Sequence, residues 1–456
     1  MSFSPRLRFP FPTRTPSWFA GHMARSLAQL PALLTDIDIV IEARDARLPL
    51  TSVNAAFDDV LVRSWGADGR RGARTGGKQK VVVYTKRDLA ESRYERPLKR
   101  AFAEHAGQDV IFADTRSDRD VRAILKHVVD HAKHRADTLY DLKVLVVGMP
   151  NVGKSSLLNA LRRVGVRRGK AFRIGAEPGI TRRLTGTVKV HEDPNVYVYD
   201  TPGVMVSYLG KGEQGAERGL KLALTAGIKA SLFEPDILAD YLLYRLNLRS
   251  LDPSYPSYLS SLPLPPDFAT PTNNLHDLLF ALATRIGAVR QGGELDLEAA
   301  QRFFLRAFQE GKFGKWTLDD LVRGEDAGED AGEDAGEDAG EDAGEDALSV
   351  RNGLAVHPTS TPRSLPSGPD LDSLVSSRVH SFLATQAREQ ARRAEGIAES
   401  ATQAKKQERA RVVAEREAKW EAKVARRAVA EAEVGKGKGG LAKGRLTRAT
   451  VAGRRR

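Results

Sequence analysis

The run Gly148-Met-Pro-Asn-Val-Gly-Lys-Ser155 has the spacing G-x-x-x-x-G-K-[ST], which suits a chain of phosphates. Gly148 and Gly153 let backbone amides wrap the phosphates, Lys154 balances their charge, and Ser155, followed by Ser156, offers a hydroxyl to Mg2+. The run follows an apolar stretch and leads into Ser156 to Leu161, the strand-to-helix setting this loop needs. By itself it leaves ATP and GTP both open. Further on, Asp200-Thr-Pro-Gly203 ends another apolar strand, where a carboxylate can hold Mg2+ through water and the Gly203 amide can sense a terminal phosphate. Between them, Pro178-Gly-Ile-Thr181 offers a hydroxyl suited to completing the Mg2+ shell, or else is a plain turn.

Base choice rests on Thr85-Lys-Arg-Asp88, at the end of an apolar strand. The Asp88 carboxylate can accept from both guanine N1–H and the exocyclic amine, a pair adenine does not offer, and the Lys86 stem can pack along the base. With Thr85 and Arg87 completing the turn, GTP is the nucleotide the sequence favours. A downstream strand ends in Asp114-Thr-Arg-Ser117, where Thr115, Arg116 and Ser117 either receive guanine O6 or cap a helix at Ser117 or Asp118.

These groups must be held at strand ends, and the apolar runs supply the strands. Asp38 to Asp45, Lys80 to Lys86, Asp109 to Asp114, Leu142 to Met149 and Val196 to Asp200 are predicted strands, with Tyr94 to Ala106 and Asp118 to Lys133 as predicted helices between them. The alternation predicts an α/β fold with a mostly parallel sheet and ligand groups at its carboxyl edge. Residues 63–79, rich in Gly and Arg, read as a flexible insertion. After Gly203, helical spacing appears in Ile237 to Leu248, Leu275 to Ile286 and Leu297 to Phe308, so residues 204–322 are expected to form a smaller all-α domain.

Residues 324–347 repeat GEDA without a break, an acidic spacer that cannot build a core. Residues 348–383 read as a linker and residues 384–456 as a basic tail, helical and then disordered. That tail carries 20 Lys or Arg against nine Asp or Glu, so most of the formal charge of +12 lies there. Such charge favours a polyanionic partner, or is a solvated face. The 456 residues contain no Cys, which excludes disulfide scaffolding, Cys-ligated zinc and thiol nucleophiles. No apolar run approaches the ~20 residues of a spanning helix. Met1 to Thr35 holds Arg6, Arg8, Arg14 and Arg25 and no acid, so residues 1–17 read as a transit peptide or a disordered basic N-terminus.

Together the five elements resemble the G-motifs of translation-factor-class GTPases, with the guanine-reading pair ahead of the phosphate loop. The order is circularly permuted. With Trp18-Phe-Ala-Gly-His-Met-Ala24, Asp45-Ala-Arg-Leu-Pro-Leu50 and Glu310-Gly-Lys-Phe-Gly-Lys315, the chain resembles the YlqF-type circularly permuted GTPases over about Trp18 to Leu321, and most of all their mitochondrial branch. The GTPase domain is then expected over residues 18–203. The resemblance implies binding of GTP and GDP with Mg2+, and a role in assembling the large ribosomal subunit. It also implies contact with that subunit's rRNA and a peripheral place on the matrix side of the mitochondrial inner membrane.

The resemblance also bears on hydrolysis. No Gln follows Gly203, Val204 stands in its place, and Val152 adds an apolar side chain to the loop, so turnover is expected to be slow until ribosomal particles stimulate it. Asn151 resembles a loop Asn that helps bind K+ in related GTPases, or it braces the loop. His22 resembles the His of that family that can reach the γ-phosphate, or it is structural. The family usually has Asn where Thr85 stands and Pro where Ala20 stands, which lowers the expected guanine selectivity. An RNA-binding scaffold with little turnover is the alternative function. A P-loop kinase using ATP is a third, and Asp88 argues against it.

Overall fold

Runs rich in Val and Ile build six strands, β1 (Ile39–Asp45), β2 (Gln79–Thr85), β3 (Asp109–Phe112), β4 (Asp141–Gly148), β5 (Val188–Glu192) and β6 (Asn195–Asp200). They pair in the order β3-β2-β1-β4-β6-β5, all parallel except β5 with β6. The computed structural model describes residues 3–12, 21–66, 77–133, 141–167, 187–201, 203, 209, 212–253, 255–322 and 368–394. Thr181, Val204, Ala20, the GEDA repeat, residues 67–76 of the expected insertion and the tail beyond residue 394 lie outside them, as does the side chain of His22.

Strand pleating sends alternate residues to opposite faces. Ile39, Ile41 and Ala43 of β1 therefore share a core with Val121 and Ile124 of α4 (Asp118–Lys133) and Leu157 and Leu161 of α5 (Lys154–Gly165). Val40 between them packs instead with Leu30 and Leu34 of α1 (Gly21–Leu34) and Phe57 and Leu61 of α2 (Ala55–Trp65). Val82 and Tyr84 of β2 meet Leu98 and Phe102 of α3 (Glu95–Ala106) on that same side.

The chain moves outward from β1 through β2 to β3, then resumes on the other side of β1 with β4 and β6. The crevice between the carboxyl ends of β1 and β4 is thus the topological switch point, where doubly wound sheets bind ligands. Register keeps the strand ends level, with Ala43 opposite Gly148 and Asp45 opposite Thr85. This order also shows the permutation, because β2 and β3, which lead into the Asp88 and Asp114 turns, precede the phosphate-loop strand β4 in the chain.

Beyond the sheet run α6 (Gly212–Leu224), α7 (Pro235–Arg249), α8 (Leu275–Ile286) and α9 (Leu297–Gln309). Pro235 opens α7, and the Asn274 and Asp296 side chains cap α8 and α9 by accepting from His276 N and Ala299 N, each at 3.0 Å. Their buried faces, including Tyr241, Leu242, Leu282, Phe304 and Phe308, join the same apolar cluster as the α4 and α5 side of the sheet. The chain divides into Met1–Gln386 and Ala387–Arg456, and of the second unit only residues 387–394 are described.

Three features differ from expectation. Edge strand β5 was not foreseen: of its five residues only Val190 is buried, so its alternation is weak. A helix, α10 (Pro369–Ala394), begins inside the expected linker, because Leu371, Val375, Val379 and Phe382 form one apolar stripe that packs with Leu98 and Phe102 of α3. At the other end, Arg6 makes a double hydrogen bond to Asp240, at 2.6 and 3.0 Å, and Phe9 is buried among Phe11, Tyr241 and Tyr244. Residues 3–12 therefore lie packed along α7.

Candidate nucleotide site

The phosphate loop leaves β4 at Gly148, whose φ of +146° brings it so near the Ala43 carbonyl that a Cβ would overlap that oxygen. Lys154 opens α5, and its ammonium curls back to donate to the carbonyls of Gly148 at 3.1 Å and Met149 at 2.8 Å. Burial pushes this ammonium down to about 8, with the Asp200 carboxylate pulling the other way. A bound anion would favour its charged form and raise it again. Ser155 and Ser156 follow in the first turn of α5, where the amides and the helix dipole face an anion.

Asp200 stands at the end of β6, beside the loop. Its Oδ2 accepts from the Ser155 hydroxyl at 3.2 Å, while its Oδ1 is buried with no hydrogen-bond partner among the described residues. Burial raises this carboxyl, against the pull of Lys154 and of the Ser155 hydroxyl. A hydroxyl and a carboxylate with one orphaned oxygen are hard donors of the kind Mg2+ takes, so the residues present fit that ion. Gly203 comes so close to the loop that a Cβ would stand 2.8 Å from Pro150 Cα. Only a glycine fits that approach.

At the end of β2, Thr85 is fully buried, and its hydroxyl lies against the carbonyls of Val152 and, at 3.0 Å, Arg44. It ties the Thr85 to Asp88 turn to the phosphate loop. Lys86, at a left-handed φ of 56°, places its ammonium 2.8 Å from Asp45 Oδ2. Arg87 turns toward Glu95 at 2.7 Å and Asp120 at 3.1 Å. Asp88 forms an ion pair with Arg116, and burial followed by Asp114 raises its carboxyl while Arg116 opposes them.

The Asp114 to Ser117 turn is thereby brought to Asp88. Ser117 Oγ accepts from Asp120 N at 3.4 Å at the start of α4, and the Thr115 carbonyl accepts from Arg163 at 3.3 Å. The cap geometry is therefore present alongside the nearness to Asp88.

Two residues that sequence reasoning left without a role bind these parts together. Asp45, at the end of β1, accepts from Arg47 and Lys86 at 2.8 Å each. Burial alone would raise its carboxyl; the two cations outweigh burial and hold it well below the usual range. Arg47 also reaches the Thr225 carbonyl at 3.5 Å, just past α6. From the phosphate loop, Asn151 donates its amide to the Ala226 carbonyl at 2.9 Å. The loop is thus fastened to the end of α6 directly, and the Lys86 turn through Asp45 and Arg47.

A phosphate loop at the β4–α5 turn, an Mg2+-competent serine and aspartate, and the Asp88 turn just past β2 have the layout of a P-loop GTPase with permuted motif order. A family model described as 50S ribosome-binding GTPase matches residues 143–239. The mitochondrial ribosome-associated GTPase 1 of Xenopus tropicalis is 32% identical over 66% of this chain and 94% of its own, and that of Mus musculus 34% over 66% and 89%. Mitochondrial GTPase 1 of Schizosaccharomyces pombe is 31% identical over 71% of this chain and 95% of its own. Among solved structures, GNP-bound YlqF from T. maritima aligns with a TM-score of 0.39 at 21% identity, over 64% of this chain and 95% of that one. The chain belongs to the family of mitochondrial ribosome-associated GTPases.

Proposed function

We propose that this GTPase is a nucleotide-driven switch that helps assemble the mitochondrial large ribosomal subunit, working at the matrix face of the inner membrane as a peripheral protein. The observation that carries this reading is the pair of bonds from Asn151 and Arg47 to the end of α6, which joins nucleotide and helices without an intervening element. In this reading residues 18–203 are the GTPase domain and residues 204–322 the helical part that meets ribosomal RNA. The names of the relatives and of the family model support the ribosomal partner and the organelle. Among the described residues no helix is long and apolar enough to cross a membrane.

At the site, Lys154 and the α5 amides hold the phosphates, and Asp88 with the Thr115 to Ser117 turn reads the base. Ser155, Asp200 and Thr181 hold Mg2+, which when bound neutralises charge on the phosphates during transfer. Asn151 braces the loop through its bond to Ala226, and His22 is the group that orients water. The test is multiple-turnover GTP hydrolysis with and without mitochondrial large subunits. Acceleration by the particles supports the switch; GTP binding with no turnover in either case favours the scaffold reading, to which Val204 points.

A further inference from the structure

Away from the nucleotide, a cavity of about 580 Å3 opens where the turn after Asp88 meets residues 311–316. Its wall carries Arg93, Arg249, Lys312 and Lys315 and a single carboxylate, Glu91. Arg249 is clasped between the rings of Tyr255 and Trp316, its guanidinium carbon 3.7 and 4.0 Å from their centroids, and it donates to the Lys315 carbonyl at 2.7 Å. Arg93 lies 4.6 Å over the Tyr94 ring and donates to the Tyr255 hydroxyl oxygen at 2.6 Å. Glu91 is taken up by the wall itself: it accepts from Arg93, the Tyr255 hydroxyl and Thr317 N, and lies 3.6 Å from Arg249. Cations outnumber the acid of the wall four to one, Lys312 also lying 3.2 Å from Glu310 just outside it, and the two arginines are fixed in place before any ligand arrives.

We propose that this cavity is a second phosphate-reading site, one that grips the backbone of an unpaired RNA segment. The assignment rests on the RNA-bearing partner proposed above. The volume lies within the ~300–1,000 Å3 of pockets that enclose small molecules, and so exceeds the needs of one phosphate. Arg93 and Arg249, 31% and 15% exposed, are more recessed than the exposed Lys312 and Lys315, which suits a single strand that can enter better than a flat lipid surface that cannot. Cationic walls built with aromatic rings are the usual construction of single-strand sites. The site also touches the guanine reader, because Trp316 N donates to the Leu89 carbonyl at 2.8 Å, one residue from Asp88.

The test uses the full chain and a labelled, unstructured RNA of about 12 nucleotides, titrated at several salt concentrations. Lys312→Gln with Lys315→Gln is compared with Lys229→Gln and Arg285→Gln, a pair of exposed charges elsewhere. The first pair is expected to weaken binding and to flatten the dependence of log affinity on log salt by about 1.4, two contacts at ~0.7 each. The control pair changes neither, and both variants keep wild-type GDP affinity. Wild-type affinity and slope in the first pair overturn the cavity assignment. So does tighter competition by an acidic peptide than by RNA, or a loss confined to vesicles of anionic lipid. A wild-type chain that binds neither this RNA nor large-subunit RNA overturns the ribosomal reading itself.

Discussion

Asn151 and Ala226 are joined by a hydrogen bond of 2.9 Å between the phosphate loop and the end of α6, and both residues have left-handed backbone, with φ of 55° and 60°. Asn tolerates that conformation, and Gly adopts it at no steric cost. Asn151→Gly therefore removes the donor and keeps the turn. Loss of one hydrogen bond of ~0.5–1.5 kcal/mol corresponds to an effect of about two- to tenfold. We expect the particle-stimulated rate of GTP hydrolysis to fall by that factor, with GDP affinity held within about twofold. An equal fall in GDP affinity would place the role of Asn151 in binding instead.

Asp88→Asn exchanges an acceptor for a mixed donor and acceptor at the base-reading position. Two charge-assisted hydrogen bonds of ~1.5–3 kcal/mol each are then lost, so GDP affinity should drop by at least about a hundredfold. Xanthine nucleotides, which carry an oxygen where guanine has its amine, should bind the variant better than GDP does. Calorimetric titration with both nucleotides reads the exchange directly.

The Lys154 ammonium gives a pH dependence whose sign can be worked out. Free of nucleotide it is pushed down to about 8, and phosphates favour its charged form and raise it. Below that value the charge is already present and binding is at its strongest. As pH rises through it, binding must take up a proton, and affinity falls by up to about tenfold per pH unit. GDP titrations in two buffers of different ionisation enthalpy should show more proton uptake at pH ~8.5 than at pH ~7, and equal uptake would contradict the assignment.

Thr85→Val tests the tie between the guanine turn and the phosphate loop. The shape is nearly kept, but the buried carbonyls of Val152 and Arg44 lose their shared donor, at ~1–3 kcal/mol. Urea unfolding should report that loss in the nucleotide-free protein, and GDP should dissociate faster because the loop is less well held. Unchanged unfolding with slower dissociation is the opposite outcome.

What was legible in the sequence was local. The phosphate loop, the Asp200 turn and the Asp88 turn each fit within a few residues, and the apolar runs before them gave their strands to within a residue or two. The parts that escaped depend on partners distant in the chain. Glu42, Arg44 and Lys80 lie within two of the predicted strands, where nothing local marks them, yet they pair inside the fold, and the cations hold Glu42 down to about 2 against the burial that would raise it. The stripe of Leu371, Val375, Val379 and Phe382 has helical spacing, but nothing local says that α3 awaits it. Arg6 reads as part of a transit peptide or a disordered basic N-terminus, and only the fold shows Asp240 beside it and Tyr241 beside Phe9. The joint of Asp45, Lys86 and Arg47 exists only once β1 and β2 lie level.

The central claim is that nucleotide turnover answers to the ribosomal partner through the end of α6. Its most direct test is the multiple-turnover rate of GTP hydrolysis by the full chain, measured alone and with purified mitochondrial large subunits, for the wild type and Asn151→Gly. A wild-type rate that rises with particle concentration and saturates, together with a weaker rise in the variant, is the predicted result. A wild-type rate that particles leave unchanged would contradict it.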